Sequence, residues 1–103
     1  MAGSETSTRP FDVAMYLRTP EDAAAYLSAA LEENDPAVFR RALGDVARGR
    51  SMAAVADASG LGRESLYKAL SRSGNPSLDT VQRVVSALGL TLAVVPAASA
   101  DNR

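Results

Sequence analysis

Residues 52–71 read MAAVADASGLGRESLYKALS, and this stretch decides the fold. Two short helical segments flank a glycine-containing turn, which is the plan of a helix-turn-helix motif. The first helix needs a small residue where the two helices cross, and Ala56 supplies it. The tight turn needs a residue that tolerates positive φ, and Gly60 lies there. Apolar residues then follow at the positions that must face the core: Leu61, Leu66, Ala69 and Leu70.

The outward face of the second segment distinguishes a DNA-binding motif from an ordinary hairpin of two packed helices. Removing the inward positions leaves a polar set: Arg63, Glu64, Ser65, Tyr67, Lys68 and Ser71. Arg and Lys can donate to guanine, Glu can accept from cytosine, Ser can bond either, and Tyr can bind phosphate. Helix-turn-helix proteins place the start of this helix in the major groove. The pattern favours a DNA-reading helix from Arg63 through Lys68 over the bare hairpin.

Polar residues on both sides of the motif are candidates for contacts with the DNA backbone. Arg48, Arg50 and Ser51 immediately precede the first motif helix, where backbone phosphates pass. Asn75 follows the second helix and either contacts phosphate or caps the loop. Arg40 and Arg41 lie further from the motif, and we expect both to face solvent.

Capping residues and apolar residues at helical spacing predict five helices. Their predicted ranges are 20–34, 36–49, 52–58, 63–71 and 78–88. A further short helix is expected over residues 11–17. Residues 90–95, LTLAVV, are typical of a strand, and Pro96 stops it. Because a lone strand has unsatisfied edges, we expect it to pair with its copy in a second subunit.

These elements predict an all-α, five-helix, lambda-repressor-like domain with a short C-terminal β-strand. The chain has 103 residues, enough for one domain, which we place at residues 11–95 between flexible tails at 1–10 and 96–103. The sequence contains no Cys and no His, which excludes thiol catalysis and thiolate or imidazole metal ligands. No cofactor or metal is expected. Lacking a membrane-spanning run or an apolar signal core, the chain is expected in the cytoplasm.

Charge is distributed unevenly along the chain, although the net charge is only −1. Residues 1–39 carry seven acids against two arginines, whereas residues 40–72 carry seven bases against three acids. An acidic front half and a basic middle suggest two partners on two faces. A solvated helical surface that segregated its charges by chance would show the same pattern.

The chain also resembles a known family in several short motifs. These are FD at 11, YL at 16, PED at 20, AYL at 25, AL at 30, ALGDVAR at 42, RESLYKALS at 63, GNP at 74 and ALGL at 87. They resemble the addiction-module antidote proteins, helix-turn-helix antitoxins similar to the HigA group of type II toxin–antitoxin systems. The resemblance covers residues 11–92. It implies a RelE/HigB-like toxin partner, a ribosome-dependent mRNA interferase encoded alongside, and repression of the shared promoter by a homodimer on a palindromic operator.

Two positions depart from the expected pattern. Family members usually have Ser or Thr before the RES run, where its hydroxyl can cap the helix and touch phosphate, but this chain has Gly62. Many helix-turn-helix domains start the first motif helix with Gln, where this chain has Met52. The second departure is mild because the family often has Met there as well. Gly62 is expected to lower DNA affinity by removing one contact.

The acidic front half is a candidate surface for the toxin, which the resemblance implies is basic. Candidate contacts combine acids with apolar anchors: Phe11, Tyr16, Glu21, Asp22 and Tyr26. The alternative is that these acids only keep a small protein soluble. The acids of residues 32–35 point in different directions around a helix end, which argues against a metal or acid–base cluster.

We expect no enzymatic activity from this chain. Ser65, Tyr67 and Lys68 resemble fragments of a Ser/Lys catalytic set, but a complete set of nucleophile, base and oxyanion donors is missing. Two other functions compete with the antitoxin interpretation. One is a solitary helix-turn-helix transcriptional regulator without a toxin, and the other is a helical adaptor that binds only protein.

Overall fold

A computed structural model describes residues 19–97 of the chain. Five helices form within that range: α1 (Pro20–Leu31), α2 (Pro36–Arg50), α3 (Met52–Ser59), α4 (Arg63–Ala69) and α5 (Leu78–Ala87). This confirms the predicted all-α class and the order of the five helices over the described range. The predicted helix at 11–17, the tail at 1–10 and the last residues of the tail at 96–103 lie outside the described residues.

Four helices begin at side-chain caps that the sequence predicts. Thr19 Oγ1 accepts from the Asp22 amide at 3.0 Å, and Asp35 Oδ1 accepts from the Ala37 amide at 3.0 Å. Ser51 Oγ and Ser77 Oγ accept from backbone amides three residues onward, at 3.2 and 3.1 Å. Each cap satisfies an amide that has no partner within its helix and stabilises the helix by about 1 kcal/mol.

The helix ends agree less closely with the sequence prediction. Helix α1 stops at Leu31, and turns over residues 32–34 lead to Asn34, which has a φ of 58°. Helix α4 stops at Ala69 instead of continuing to Ser71. Helix α5 ends just before a glycine, as predicted. Gly89 has a φ of 81°, a left-handed conformation that turns the chain away from the helix. The Gly89 and Leu90 amides there donate to the carbonyls of Ser86 and Val85, at 2.9 and 3.0 Å.

The core lies where α3 packs on α2, α4 and α5, and α1 packs on α2 and adds Ala23, Leu27 and Ala30 to the same core. The largest side chains with almost no exposure come from α2, α4 and α5 together with the residue that caps the end of α5: Leu43, Val46, Leu66, Val84 and Leu88. Two members of the apolar stripes do not join the core, since Leu31 is 51% exposed and Leu78 is 68% exposed. The basic motif region and acidic α1 are therefore joined through α2.

The predicted strand over residues 90–95 is not formed in the described chain. Leu90 and Leu92 are half-buried against the core, whereas Val94 is 99% exposed and Val95 is 73% exposed. A strand needs a neighbour to complete its hydrogen bonds, and no other segment of residues 19–97 takes that place. The β-prone composition therefore does not produce a strand within the described residues.

Candidate nucleic-acid interface

The turn between α3 and α4 has the geometry that its sequence predicts. Gly60 lies in the left-handed region, with φ 79° and ψ 8°, and its amide donates to the Ala56 carbonyl at 3.1 Å. Ala56 is buried at 4% exposure, so the small side chain lets the neighbouring helices approach. Leu61 is half-buried and packs against the core. These contacts fix the direction in which the chain enters α4.

Three further residues hold this turn, and the sequence analysis missed them. The buried Ser59 hydroxyl donates to the Ala56 carbonyl at 3.2 Å and accepts from the Leu61 amide at 3.3 Å. Arg83 of α5 donates from Nη1 to the Ser59 carbonyl at 3.4 Å and from Nε to Asp79 Oδ2 at 3.0 Å. The i,i+4 spacing of Asp79 and Arg83 is a visible signal of an ion pair. Their contact with the turn has no such signal.

Helix α4 presents the predicted polar face to solvent. Leu66 has no exposed surface, whereas these residues are exposed: Arg63, Glu64, Ser65, Tyr67 and Lys68. Arg63 and Tyr67 are four residues apart and therefore share one face of the helix, and Glu64 and Lys68 share an adjacent face for the same reason. The exposure of this face is confirmed, and contact with DNA stays a prediction.

The start of α4 has an unused capping position. Gly62 is the residue before the helix, and it makes no side-chain cap. Its φ of −70° and ψ of 153° are ordinary extended backbone, and a Cβ built there meets nothing within 4 Å. The site therefore has room for a capping side chain such as Ser or Thr.

The predicted phosphate contacts before α3 have different environments. Arg48 is exposed and pairs with Asp45 Oδ1 at 3.1 Å. Arg50 is half-buried and donates from Nη2 to the Leu88 carbonyl at 3.3 Å, so it binds the end of α5. Ser51 caps α3 and has a φ of 124°, a strained value for a residue with a side chain. Of the two arginines, Arg48 has the more accessible charge.

The loop after α4 contains the two remaining candidates. Ser71 is half-buried, and its hydroxyl donates to the Lys68 carbonyl at 2.8 Å. Asn75 is exposed beside a cleft of about 390 Å³ that Phe39 also lines. Ser71 therefore helps to end α4, and Asn75 is free to face solvent or a ligand.

The expectation that Arg40 faces solvent is wrong. Its guanidinium donates from Nη1 to the Gly74 carbonyl at 3.1 Å and from Nη2 to the Arg72 carbonyl at 2.6 Å. The reason is tertiary, because the loop after α4 folds back beside α2. The neighbouring Arg41 is exposed, as expected.

Helix α1 carries the acidic candidates on its surface. Glu21 and Asp22 are exposed, and Tyr26 is half-buried with its hydroxyl donating to Asp45 Oδ2 at 2.9 Å. Burial and this hydrogen bond raise the pKa of Tyr26 above its ordinary value, in that order of size. The other two candidates, Phe11 and Tyr16, lie outside the described residues. Within residues 19–97 no group of acids is arranged to hold a metal ion.

The fold and these surfaces define a small all-helical protein with a polar, exposed helix after a tight glycine turn. The chain belongs to the family described as "probable addiction module antidote protein", which matches residues 7–96. It is also similar to an uncharacterized protein of Haemophilus influenzae, with 44% identity over 86 residues, 84% of this chain and 89% of that protein. No solved structure matches the chain. In the range from 19 to 97, no helix is both long and apolar enough to span a membrane.

Proposed function

We propose that this antidote protein binds operator DNA through α4, represses its own operon and neutralises a RelE/HigB-like toxin without enzymatic activity. One observation carries the proposal. The left-handed Gly60 turn sets α4 so that Leu66 is buried while Arg63, Tyr67 and Lys68 are exposed. This arrangement leaves base-reading and phosphate-binding side chains together on an accessible helix. The role requires the cytoplasm, where both DNA and ribosomes are accessible.

Separation of charge supports two simultaneous partners. The exposed bases of the motif side are Arg48, Arg63, Lys68 and Arg72, against two exposed acids, Asp57 and Glu64. The exposed acids of α1 and the turn after it are Glu21, Asp22, Glu32, Glu33 and Asp35. A basic toxin is attracted to the second set and DNA to the first, so the toxin complex still binds its operator.

The proposed operator complex is a homodimer. One such motif reads only a few base pairs, so useful specificity requires two copies on a palindrome with half-sites about one helical turn apart. Residues 90–95 offer unpaired backbone groups and the exposed side chains of Val94 and Val95. Pairing of this segment with its copy would satisfy the backbone groups along one edge, and it would cover part of Val94 and Val95, which lie on opposite faces of a strand.

The decisive experiment measures binding of the full chain to a duplex taken from the promoter upstream of its gene. We expect a mobility shift that survives excess nonspecific DNA and weakens steeply as salt rises, because released counterions drive phosphate binding. The same chain is then co-expressed with the product of the adjacent gene and purified. DNA binding without co-purification would indicate a solitary regulator. Absence of any specific shift would remove DNA binding and leave the protein-binding adaptor.

A further inference from the structure

Helix α4 has few contacts of its own to hold it in place. It is seven residues long, and a helix of that length is marginal without tertiary support. Its start has no side-chain cap, and among its residues only Leu66 is buried. The orientation of α4 therefore depends on what holds the segments at its two ends.

The segment at its far end folds tightly back onto α4. Leu70 is buried at 6% exposure, and the Gly74 amide donates to the Ser71 carbonyl at 2.9 Å. A Cβ on Gly74 would lie 2.5 Å from the Lys68 carbonyl oxygen, and closer to that of Ala69. Because backbone lies at that distance, a side chain at this position would force the turn away from the helix.

Arg40 joins this turn to α2. Its two amino groups donate to the carbonyls of Arg72 and Gly74, so one guanidinium bonds the turn both in its middle and at its end. Hydrogen bonds from a charged donor are stronger than neutral ones, and the planar fork of Arg suits two acceptors at once. Lys, with a single ammonium at the end of a flexible stem, cannot reproduce the fork.

We propose that Arg40 is a positioning residue for DNA recognition, which fixes the 70–74 turn and thereby the orientation of α4 against α2. The inference rests on the proposed DNA binding of α4. In this role Arg40 acts through α4 and makes no phosphate contact of its own. Its loss should weaken operator binding while the number of ions released on binding stays the same.

The first measurement needs no DNA. Amide hydrogen exchange is compared for Arg40→Ala, Arg40→Lys and the control Arg41→Ala, which removes the same charge from an exposed neighbour. We expect protection of the Leu70, Ser71 and Gly74 amides, relative to those of α5, to fall roughly tenfold in Arg40→Ala, a factor suited to loss of charged hydrogen bonds. It should fall less in Arg40→Lys and stay unchanged in the control. Unchanged protection in both Arg40 variants would overturn the proposal.

The second measurement uses the promoter duplex. We expect operator affinity to fall about tenfold in Arg40→Ala with an unchanged slope of log K against log salt. A slope smaller by about 1 would make Arg40 a phosphate contact and overturn the positioning role. Unchanged affinity would overturn it too. If Arg40→Ala does not fold, Arg40→Lys takes its place: because Lys keeps the charge but not the fork, lower protection together with weaker operator binding supports the positioning role, and unchanged protection or unchanged affinity overturns it. If the wild type binds no DNA, the proposed function fails, and amide exchange still tests whether Arg40 fixes the turn.

Discussion

The hydroxyl of Tyr26 donates to one carboxylate oxygen of Asp45 at 2.9 Å, while the other oxygen pairs with Arg48 at 3.1 Å. Asp45 thus connects acidic α1 to the end of α2 that precedes the α3–α4 motif. This contact joins the two surfaces that we propose for toxin and DNA.

Removing the Tyr26 hydroxyl should destabilise the fold. We expect Tyr26→Phe to lower the free energy of unfolding by about 1 kcal/mol, the value for a partly exposed hydrogen bond. Urea denaturation measures the change, and Tyr67→Phe serves as control because that ring lies on α4 and is 47% exposed. Equal stability of Tyr26→Phe and the wild type would show that the bond contributes nothing measurable.

The same hydrogen bond predicts that the stability of the fold depends on pH. Burial and Asp45 raise the pKa of Tyr26 above the ordinary tyrosine value of about 10, so the folded chain retains a proton that the unfolded chain loses. The contribution of the protonated Tyr26 hydroxyl to the free energy of unfolding is complete below about pH 10. It is lost as pH rises through the pKa of Tyr26 in the folded chain. The free energy of unfolding, measured from neutral to strongly alkaline pH, should therefore fall more steeply with pH for the wild type than for Tyr26→Phe. Parallel declines would contradict the raised pKa.

Filling the unused cap of α4 should strengthen the motif. We expect Gly62→Ser to raise the free energy of unfolding by a few tenths of a kcal/mol and to tighten operator binding. Gly62→Ala is the matched control, since it occupies the same open space without a hydroxyl and should be about 1 kcal/mol less stable than Gly62→Ser. If Ser and Ala give the same stability and affinity, the hydroxyl neither caps the helix nor reaches the phosphate.

Features determined by neighbouring residues were predictable from the sequence. The caps at Thr19, Asp35, Ser51 and Ser77 bond amides within three residues, so the sequence contains both partners at a fixed spacing. The Gly60 turn is local in the same way. The outward face of α4 follows because helical periodicity separates Leu66 from the polar residues around it.

Features that join distant segments were not predictable from the sequence. Arg40, Arg50 and Arg83 donate to backbone carbonyls between 24 and 38 residues away, and every residue type has a carbonyl. Such acceptors leave no pattern in the sequence. The strand at 90–95 does not form for a related reason, since its hydrogen bonds require a neighbouring strand that residues 19–97 do not supply.

Two outward residues of α4 should have different effects on DNA binding. Arg63→Ala should cost roughly 1–3 kcal/mol of specific affinity if its guanidinium bonds a base, with discrimination lost at one position. Lys68→Ala should weaken all sequences more evenly and reduce the salt slope by about 1. Titrations against operator and point-mutated duplexes separate the two effects. Unchanged binding in both variants would remove α4 from the groove.

Dimerisation should depend on residues 90–95. We expect Val94→Lys to shift the chain towards monomer in sedimentation velocity at micromolar concentration, because the charge would fall within the pairing segment. Leu78→Lys is the control, since that leucine is also exposed but lies on α5. A wild type that sediments as monomer and gives a non-palindromic footprint would contradict the dimer. Equal effects of the two variants would move the interface elsewhere.

Toxin binding should respond to charge on α1. Glu21→Lys/Asp22→Lys and Glu32→Lys/Glu33→Lys reverse two pairs of exposed acids at opposite ends of this helix. The first pair places cations at the positive helix start and should destabilise α1, whereas the second places them at the negative end and should not. We expect each variant to slow toxin association, and a variant that combines all four substitutions to slow it roughly tenfold. The association rate should also depend less on salt.

Because only the Glu21/Asp22 variant should destabilise α1, the two variants separate toxin recognition from helix stability. If only the Glu21/Asp22 variant binds toxin poorly, lost helix stability explains the result. If both do, the acidic charge itself attracts the toxin. Association that keeps its rate and salt dependence in both variants would mean that these acids serve only solubility. Operator binding should persist or strengthen in the same variants, because repulsion between α1 and the phosphates is relieved while α4 keeps its Gly60 turn and the Arg40 contact.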